Sequence, residues 1–314
     1  MCPTGSGRRG RTVGGHTGDV PVRHAVPSTD GVMVALHDHD PGSALPGALF
    51  AHASGFHGRC FDPVADALRG SLHCLALDLR GFGDTSVQPG WQVRWGAFGD
   101  DALVAARTAA ESGPIIGAGH SLGGSSLVMA ALREPSLFRA LVLYEPIIFP
   151  NSVRAHRGPS PLADGARRRR RRFASFDDAF ANYAAKPPMN SFDPRALRAY
   201  VDHGFREVGD GVELKCDPEH EAQTYETGSV HETWDQLADL RTPVWLVSGA
   251  VAPMSPASFV EPLAATIAAA SHIQPTVVSW PDRGHFGPLE DPARFATLIM
   301  DVHRAAPVSA TEAP

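Results

Sequence analysis

A serine between two glycines, at a junction where a strand turns into a helix, constrains this sequence more than any other feature. The motif is Gly119-His120-Ser121-Leu122-Gly123. The apolar residues 114–118 before it predict a buried strand of a parallel sheet, and residues 127–132 after it predict a helix. Glycine on both sides permits a tight turn that a Cβ would block. This turn exposes the Ser121 hydroxyl at the carboxyl edge of the sheet, so we expect a nucleophile rather than a plain turn residue.

Strands and helices alternate along most of the 314 residues. The pattern predicts core strands at residues 32–37, 48–52, 73–77, 114–118, 140–144, 244–247 and 276–279. It predicts helices at residues 63–68, 95–110, 176–183, 194–201 and 292–304. This alternation indicates an α/β fold with a mostly parallel central sheet flanked by helices.

The composition changes twice along the chain and predicts its domain organisation. Residues 21–146 and 235–306 are expected to form the α/β core. Residues 147–234 are rich in proline and aromatic side chains and are expected to form a helical lid over the carboxyl edge of the sheet. Residues 1–20 and 307–314 are expected to be tails, the first one disordered because it lacks hydrophobic periodicity.

Charge and cysteine usage limit the partners and the compartment. The net charge of −6 argues against a nucleic-acid partner. No apolar run reaches eighteen residues, so no membrane span is predicted. No apolar segment follows Arg8 and Arg9, which disfavours a secretion signal. The four cysteines lack metal or redox spacing, so we expect free thiols in a cytoplasmic protein.

A serine hydroxyl needs a base that accepts its proton, and His285 is the strongest of the fifteen histidines. It lies between the last predicted strand and the final helix, in a loop that returns to the edge where Ser121 lies. We expect His285 to be the general base. The alternative is a histidine that caps the helix or packs against it.

The segment His52-Ala53-Ser54-Gly55 follows a predicted core strand and consists of small residues after its histidine. Such a loop brings backbone N–H groups close to a substrate carbonyl. We therefore expect the N–H groups of Ser54 and Leu122 to form an oxyanion hole. His52 itself is expected to hold the loop in place rather than to react.

Four motifs at matching order and spacing resemble the α/β-hydrolase superfamily, and in particular its lid-bearing serine hydrolases, over about residues 30–305. They are residues 52–55, 78–83, 119–123 and 284–286. The resemblance implies a serine hydrolase that cleaves an ester, lactone or thioester of a small apolar substrate through an acyl-enzyme on Ser121. It implies no cofactor and no metal. The family has glycine where this chain has Ala53, and the turn at Asp78 and Arg80 is expected to brace loops.

The third member of the triad departs from the family pattern. A carboxylate must orient the imidazole and stabilise the imidazolium. The family usually places an aspartate about three residues past the glycine that follows its seventh strand, and here Ala252 stands at that place after Gly249. Relatives without this aspartate commonly carry the acid after the sixth strand, where this chain has Glu145. We expect Glu145 to be the triad acid. A carboxylate that only fixes loops, or a dyad without an acid, is the alternative.

Other functions stay open on the sequence alone. The residue Ala252 is compatible with a catalytically impaired ligand-binding protein of the same fold, and the same pocket can also support non-hydrolytic acyl transfer or lyase chemistry. The arginine run 167–172 can bind an anion, but in an acidic chain a solvated helix face or mobile lid segment is the favoured interpretation. His37 and His39 share a strand face, yet no third ligand is evident, so no metal site is predicted.

Overall fold

A computed structural model describes residues 20–154, 160–252 and 255–306 of the chain. Within these ranges it contains eleven strands: β1 (Val22–Pro27), β2 (Met33–Asp38), β3 (Gly47–Ala51), β4 (His73–Asp78), β5 (Ile115–His120), β6 (Phe138–Tyr144), β7 (Arg172–Phe173), β8 (Phe205–Val208), β9 (Gly211–Leu214), β10 (Val244–Ser248) and β11 (Thr276–Ser279).

The same ranges contain eleven α-helices: α1 (Asp62–Leu68), α2 (Trp95–Ala109), α3 (Leu122–Arg133), α4 (Asn151–Arg154), α5 (Pro161–Arg167), α6 (Phe176–Ala184), α7 (Pro194–Gly204), α8 (Pro218–Thr227), α9 (Val260–Ala270), α10 (Gly287–Glu290) and α11 (Pro292–Ala305). None of these described helices combines the length and the apolar composition that a membrane crossing requires.

Eight strands form the central sheet in the order β1-β2-β4-β3-β5-β6-β10-β11. The pairings from β4 to β11 are parallel, whereas β2 pairs antiparallel with both of its neighbours. The seven predicted core strands all lie in this sheet. Strand β1 was not predicted, because its side chains are largely exposed and show no regular alternation of apolar and polar residues.

Side chains on the two faces of the sheet build two separate clusters, as the period of two along a strand requires. On β3, Leu49 faces a cluster that includes Phe98 of α2 and Leu127 of α3. Its neighbour Phe50 faces the opposite cluster, which includes Phe295 of α11. Helices therefore cover both faces, and the carboxyl edge of the parallel strands stays available for loops.

Residues 147–234, which we call the insertion, lie between β6 and β10. Helices α6 and α7 lie where helices were predicted, but the insertion also contains a small antiparallel sheet in the order β7-β9-β8. Only helices were expected there from the sequence. Strands of two to four residues are too short to show the alternation from which strands are predicted.

The turn after β4 is braced by a buried ion pair. Arg80 is fully buried and donates to both carboxylate oxygens of Asp101 on α2, at 2.9 Å from Nε and 2.6 Å from Nη2. It also donates to Asp30 at 2.9 Å. This arrangement links the turn to α2 and to the loop between β1 and β2.

Replacing Asp101 with alanine leaves the Arg80 guanidinium buried without its main partner. We expect the free energy of unfolding to fall by about 3–5 kcal/mol, the cost of breaking a buried ion pair from one side. The matched control is Asp100→Ala, which removes a partly exposed partner of Arg133 and should cost at most about 1 kcal/mol. Denaturant unfolding of the two variants measures both values, and equal losses would contradict the assignment of Arg80 as a buried brace.

Candidate active site

The backbone at Ser121 is held in a conformation that is rare for a residue with a side chain. Ser121 lies between the end of β5 and the start of α3, with φ 56° and ψ −117°. Its N–H donates to the Tyr144 carbonyl at 2.9 Å. A Cβ on Gly123 would collide with the carbonyl oxygen of Ala51, so glycine is required for α3 to begin this close to β3.

The structure brings Glu145 and His285 into direct contact. His285 lies between β11 and α10, and its Nδ1 is 2.6 Å from Oε2 of Glu145. The other carboxylate oxygen of Glu145 accepts the Gly249 N–H at 2.7 Å. Glu145 is buried, and these two partners satisfy both of its carboxylate oxygens. With Nδ1 facing the carboxylate, Nε2 is the ring nitrogen left to act on a hydroxyl.

Glu145, like Ser121, has a backbone conformation that is rare for a residue with a side chain. Among the described residues, only Asp30, Ser121 and Glu145 combine a side chain with a positive φ, and Glu145 has φ 44°. Its N–H donates to the Val247 carbonyl at 2.9 Å, across to the end of β10. Backbone strain of this kind costs on the order of 1–3 kcal/mol and concentrates at functional sites.

The loop after β10 provides a backbone donor instead of an acid. Its Gly249 N–H binds Glu145, whereas Ala252 is exposed and its own N–H contacts the Ser255 hydroxyl oxygen at 3.2 Å. Residue 252 therefore contributes no group to the contact with His285.

Tyr144 fixes the loop that carries His285, a role that the sequence analysis missed. Its hydroxyl donates to the Gly284 carbonyl at 2.6 Å. Burial raises the pKa of Tyr144, and the neighbouring charge of Glu145 raises it further, so the hydroxyl stays a donor. No sequence signal marks this contact, because Tyr144 and Gly284 are far apart in the chain.

Ser54 and Leu122 lie on two segments that touch. A Cβ on Gly123 would lie 2.7 Å from the His52 carbonyl oxygen, so the first turn of α3 packs on the loop that contains Ser54. Within the described parts of the chain, neither the Ser54 N–H nor the Leu122 N–H has an acceptor. Both donors are therefore available to a ligand.

His52 holds its own loop, as its position suggested. Its Nε2 accepts the Leu79 N–H at 2.9 Å, which leaves the proton on Nδ1 to be donated to the Ala53 carbonyl at 2.8 Å. Because both ring nitrogens are used by the backbone, His52 has no nitrogen left for proton transfer.

Comparison with known proteins decides the family. A model of the alpha/beta hydrolase family matches residues 48–298. The chain belongs to this family. This membership and the parallel sheet flanked by helices confirm the predicted α/β-hydrolase fold.

Curated relatives match over a shorter stretch. The abhydrolase domain-containing protein ACTT2 of Alternaria alternata is 28% identical over 105 residues, which is 33% of this chain and 38% of that protein. The match thus spans well under half the length of the relative.

Solved structures match over nearly the whole chain at low identity. An E-2-(acetamidomethylene)succinate hydrolase superimposes with a TM-score of 0.74 at 21% identity, over 90% of this chain and 99% of that one. A thioesterase domain from the curacin biosynthetic pathway gives 0.70 at 16%, over 90% and 100%. An esterase of M. tuberculosis gives 0.67 at 20%, over 92% and 93%. These similarities support the fold.

Burial keeps three histidines around the site neutral near pH 7. Burial lowers the pKa of His57 to about 3 and also lowers the pKa of His52. For His120, burial and the neighbouring His285 hold the pKa well below its usual range. The Nε2 of His120 is 2.7 Å from the His285 carbonyl oxygen, so this histidine links the turn at Ser121 to the loop of His285.

One group of side chains has the spacing of metal ligands. Ligand atoms of His37, Asp78 and Asp84 lie within 4.8 Å of one another. The carboxylates already have partners, however: Asp78 accepts the Gly58 N–H at 2.6 Å, and Asp84 pairs with Lys215 at 2.6 Å. These contacts fit a braced turn after β4 rather than a metal site. His39, which shares a strand face with His37, is not a member of this group.

Most of the arginine run 167–172 is paired within the insertion. Five of its six arginines contact carboxylates: Arg167 with Glu219 and Glu226, Arg169 with Glu221, Arg170 with Asp178, and Arg171 and Arg172 with Glu213. The sequence favoured a solvated helix face or a mobile lid segment. The run extends from the end of α5 to β7, so it does not form one helix face.

A polar groove of about 780 Å³ lies away from the candidate site. It runs between the loop after β4 and the insertion, where Trp91, Lys215 and His220 line it. Its lining includes none of the residues that the sequence analysis assigned to the site. The candidate site is therefore identified by its geometry and not by cavity size.

The lowered pKa of His57 makes stability depend on pH. The unfolded chain binds a proton near pH 6.5, whereas folded His57 resists protonation down to about pH 3, so stability is lost as the pH falls below about 6.5. Between pH 7 and pH 5 this histidine should remove about 2 kcal/mol of unfolding free energy. In His57→Gln we expect the loss over this interval to be smaller by that amount.

Urea unfolding at a series of pH values measures the effect. The matched control is His272→Gln, because the His272 side chain is exposed in the folded protein and should leave the pH dependence unchanged. Parallel stability curves for His57→Gln and the wild type would show that His57 does not carry this dependence.

Proposed function

We propose that this protein is a serine hydrolase that cleaves an ester-like bond of a small molecule through an acyl-enzyme on Ser121. The observation that carries the proposal is the contact between His285 and Glu145 beside the strained turn at Ser121. In this proposal His285 is the general base, Glu145 is the triad acid, and the N–H groups of Ser54 and Leu122 form the oxyanion hole.

Acylation begins when Nε2 of His285 takes the proton of the Ser121 hydroxyl and the oxygen attacks the substrate carbonyl. Negative charge then develops on the carbonyl oxygen, where the Ser54 and Leu122 N–H groups stabilise it. The imidazolium that forms is stabilised by Glu145. When the tetrahedral intermediate collapses, His285 returns its proton to the departing alcohol or thiol.

Deacylation uses the same groups with water as the nucleophile. His285 takes a proton from water, the hydroxide attacks the acyl carbonyl, and the acid product leaves as Ser121 regains its proton. Neither acylation nor deacylation is a redox reaction. The chemistry needs no group beyond those of the chain and water.

We propose that the insertion acts as a lid over this site. The ring of Phe192 in the insertion lies 5.3 Å from the ring of Phe286, the residue after His285. The Asp193 N–H donates to the Leu289 carbonyl at 2.9 Å. These contacts support an apolar wall next to the catalytic histidine, suited to a small substrate with an apolar body.

The proposed cytoplasmic location rests on the cysteines. Cys60, Cys74 and Cys216 are buried and form no disulfide among the described residues. Burial raises the pKa of Cys74 to about 12, so this thiol stays protonated and unreactive. Cys2 lies outside the described residues. A reducing compartment suits a protein with such thiols.

A fluorophosphonate probe tests the nucleophile. We expect one covalent adduct on Ser121, because the probe phosphonylates a serine that a neighbouring base activates. Intact mass followed by peptide mapping measures the adduct, and Ser121→Ala should not react. A folded wild-type protein that stays unlabelled would favour the alternative of a non-catalytic ligand-binding protein.

Replacing Glu145 with glutamine tests the acid. The amide oxygen can still accept the Gly249 N–H, but the charge that stabilises the imidazolium is lost. We expect kcat with an activated ester to fall on the order of 10⁴-fold, as for the triad carboxylate of serine proteases. The matched control is Glu261→Gln, which changes the first carboxylate after Gly249 in the sequence and should leave kcat unchanged. A nearly normal kcat in Glu145→Gln would leave Glu145 with only a loop-fixing role.

A further inference from the structure

A buried ion pair of the insertion lies against the loop that contains Ser54. Nη1 of Arg169 donates to Oε2 of Glu221 at 2.6 Å, and the side chains are 17% and 5% exposed. A Cβ on Gly55 would collide with the Glu221 carboxylate and lie 3.4 Å from Nη1 of Arg169. The guanidinium is therefore next to the residue that follows the proposed oxyanion donor.

Arg169 keeps most of its hydrogen-bonding capacity unused. Glu221 takes Nη1 only, and among the residues that the structure describes, Nε and Nη2 of Arg169 have no acceptor. These two nitrogens form the edge of a guanidinium that binds both oxygens of a carboxylate. The guanidinium keeps its charge at all relevant pH values, and its unused edge has contact with solvent, so an anion can reach it.

Two tyrosine hydroxyls in the same region are buried without partners. The Tyr183 and Tyr200 hydroxyls have no partner of hydrogen-bond geometry within the described chain, and they lie close enough together for Tyr200 to lower the pKa of Tyr183. Burial raises the pKa of both phenols, and the charge of Arg169 acts on both in the opposite direction. The Tyr200 ring lies 5.2 Å from the ring of Phe56, which follows Gly55. A buried hydroxyl without a partner is costly, so these donors also call for an acceptor.

We propose that Arg169 binds a carboxylate of the substrate, with the hydroxyls of Tyr183 and Tyr200 as further donors. This rests on the proposed function, because it assumes that the substrate carbonyl binds at the Ser54 N–H. Donors outnumber acceptors around Arg169, and a carboxylate supplies the missing acceptors. The substrate is then an ester-like molecule that combines an apolar body with a carboxylate.

Matched substrate pairs test this preference. p-Nitrophenyl hemisuccinate and its methyl ester place the charge on the acyl side, and 4-acetoxybenzoate and its methyl ester place it on the alcohol side. In the wild type we expect kcat/KM to be about 10- to 100-fold higher for the charged member of one pair, because hydrogen bonds to a charged group typically contribute a factor of this size. Equal values within both pairs would overturn the proposal.

The double variant Arg169→Gln/Glu221→Gln removes both charges together, so no buried charge is left unpaired. We expect the ratio of kcat/KM for the charged and the neutral substrate to fall to about one. The matched control is Arg168→Gln, because Arg168 is exposed and has no carboxylate partner within the described residues. A preference that survives in the double variant would overturn the proposal.

Tyr200→Phe provides a variant that removes only an unpartnered hydroxyl. We expect the ratio of kcat/KM for the charged and the neutral substrate to fall about tenfold. A tyrosine that only packs in the insertion would give no change with either substrate, which would remove it from the proposed site.

Binding without turnover separates this proposal from the proposed function. Monomethyl succinate is titrated into Ser121→Ala, with and without the double variant, and its Kd is measured by calorimetry. A Kd at least tenfold higher in the double variant supports the carboxylate site whether or not Ser121 is a nucleophile. An unchanged Kd overturns the site. Absence of a fluorophosphonate adduct on the wild type overturns the proposed function alone.

Discussion

The arrangement of the candidate site depends on the carboxylate of Glu145. One of its oxygens accepts the Gly249 N–H and the other contacts Nδ1 of His285. These partners follow β10 and β11, whereas Glu145 follows β6. A single buried side chain therefore connects three loops at the carboxyl edge of the sheet. The Ser121 N–H donates to the Tyr144 carbonyl, so the turn at Ser121 is fixed to the residue before Glu145.

The sequence predicted the parts of the fold whose strands are buried on both faces. Strands such as β3 and β5 form short apolar runs bounded by turn residues, and that pattern is local. The small sheet of the insertion could not be predicted in this way, since β7 consists of only Arg172–Phe173. Its pairing with β9 joins residues about forty positions apart, and local patterns contain no information on such pairing.

The sequence likewise predicted only those parts of the candidate site that lie in local motifs. Ser121 and His285 could be singled out because each lies in a local motif after a predicted strand. The orientation of Glu145 could not, since its positive φ and its contact with Gly249 depend on the pairing of β6 with β10. Arg169 illustrates the same limit. A run of arginines suggests a solvated segment, and only the position of α8 places the Glu221 carboxylate beside it.

The position of the acid has a geometric consequence for the loop after β10. Strand β10 lies between β6 and β11, so a carboxylate after β6 must reach past the end of β10 to contact His285. Neighbouring strands are about 4.8 Å apart, and a glutamate extends one methylene further than an aspartate. A side chain at residue 249 would collide with the loop that carries His285, because a Cβ on Gly249 would lie 2.6 Å from the Gly284 carbonyl oxygen and 2.8 Å from the Tyr144 hydroxyl. Glycine at 249 therefore lets the loop of His285 pack against the end of β10, and its N–H holds the carboxylate of Glu145 beside that loop.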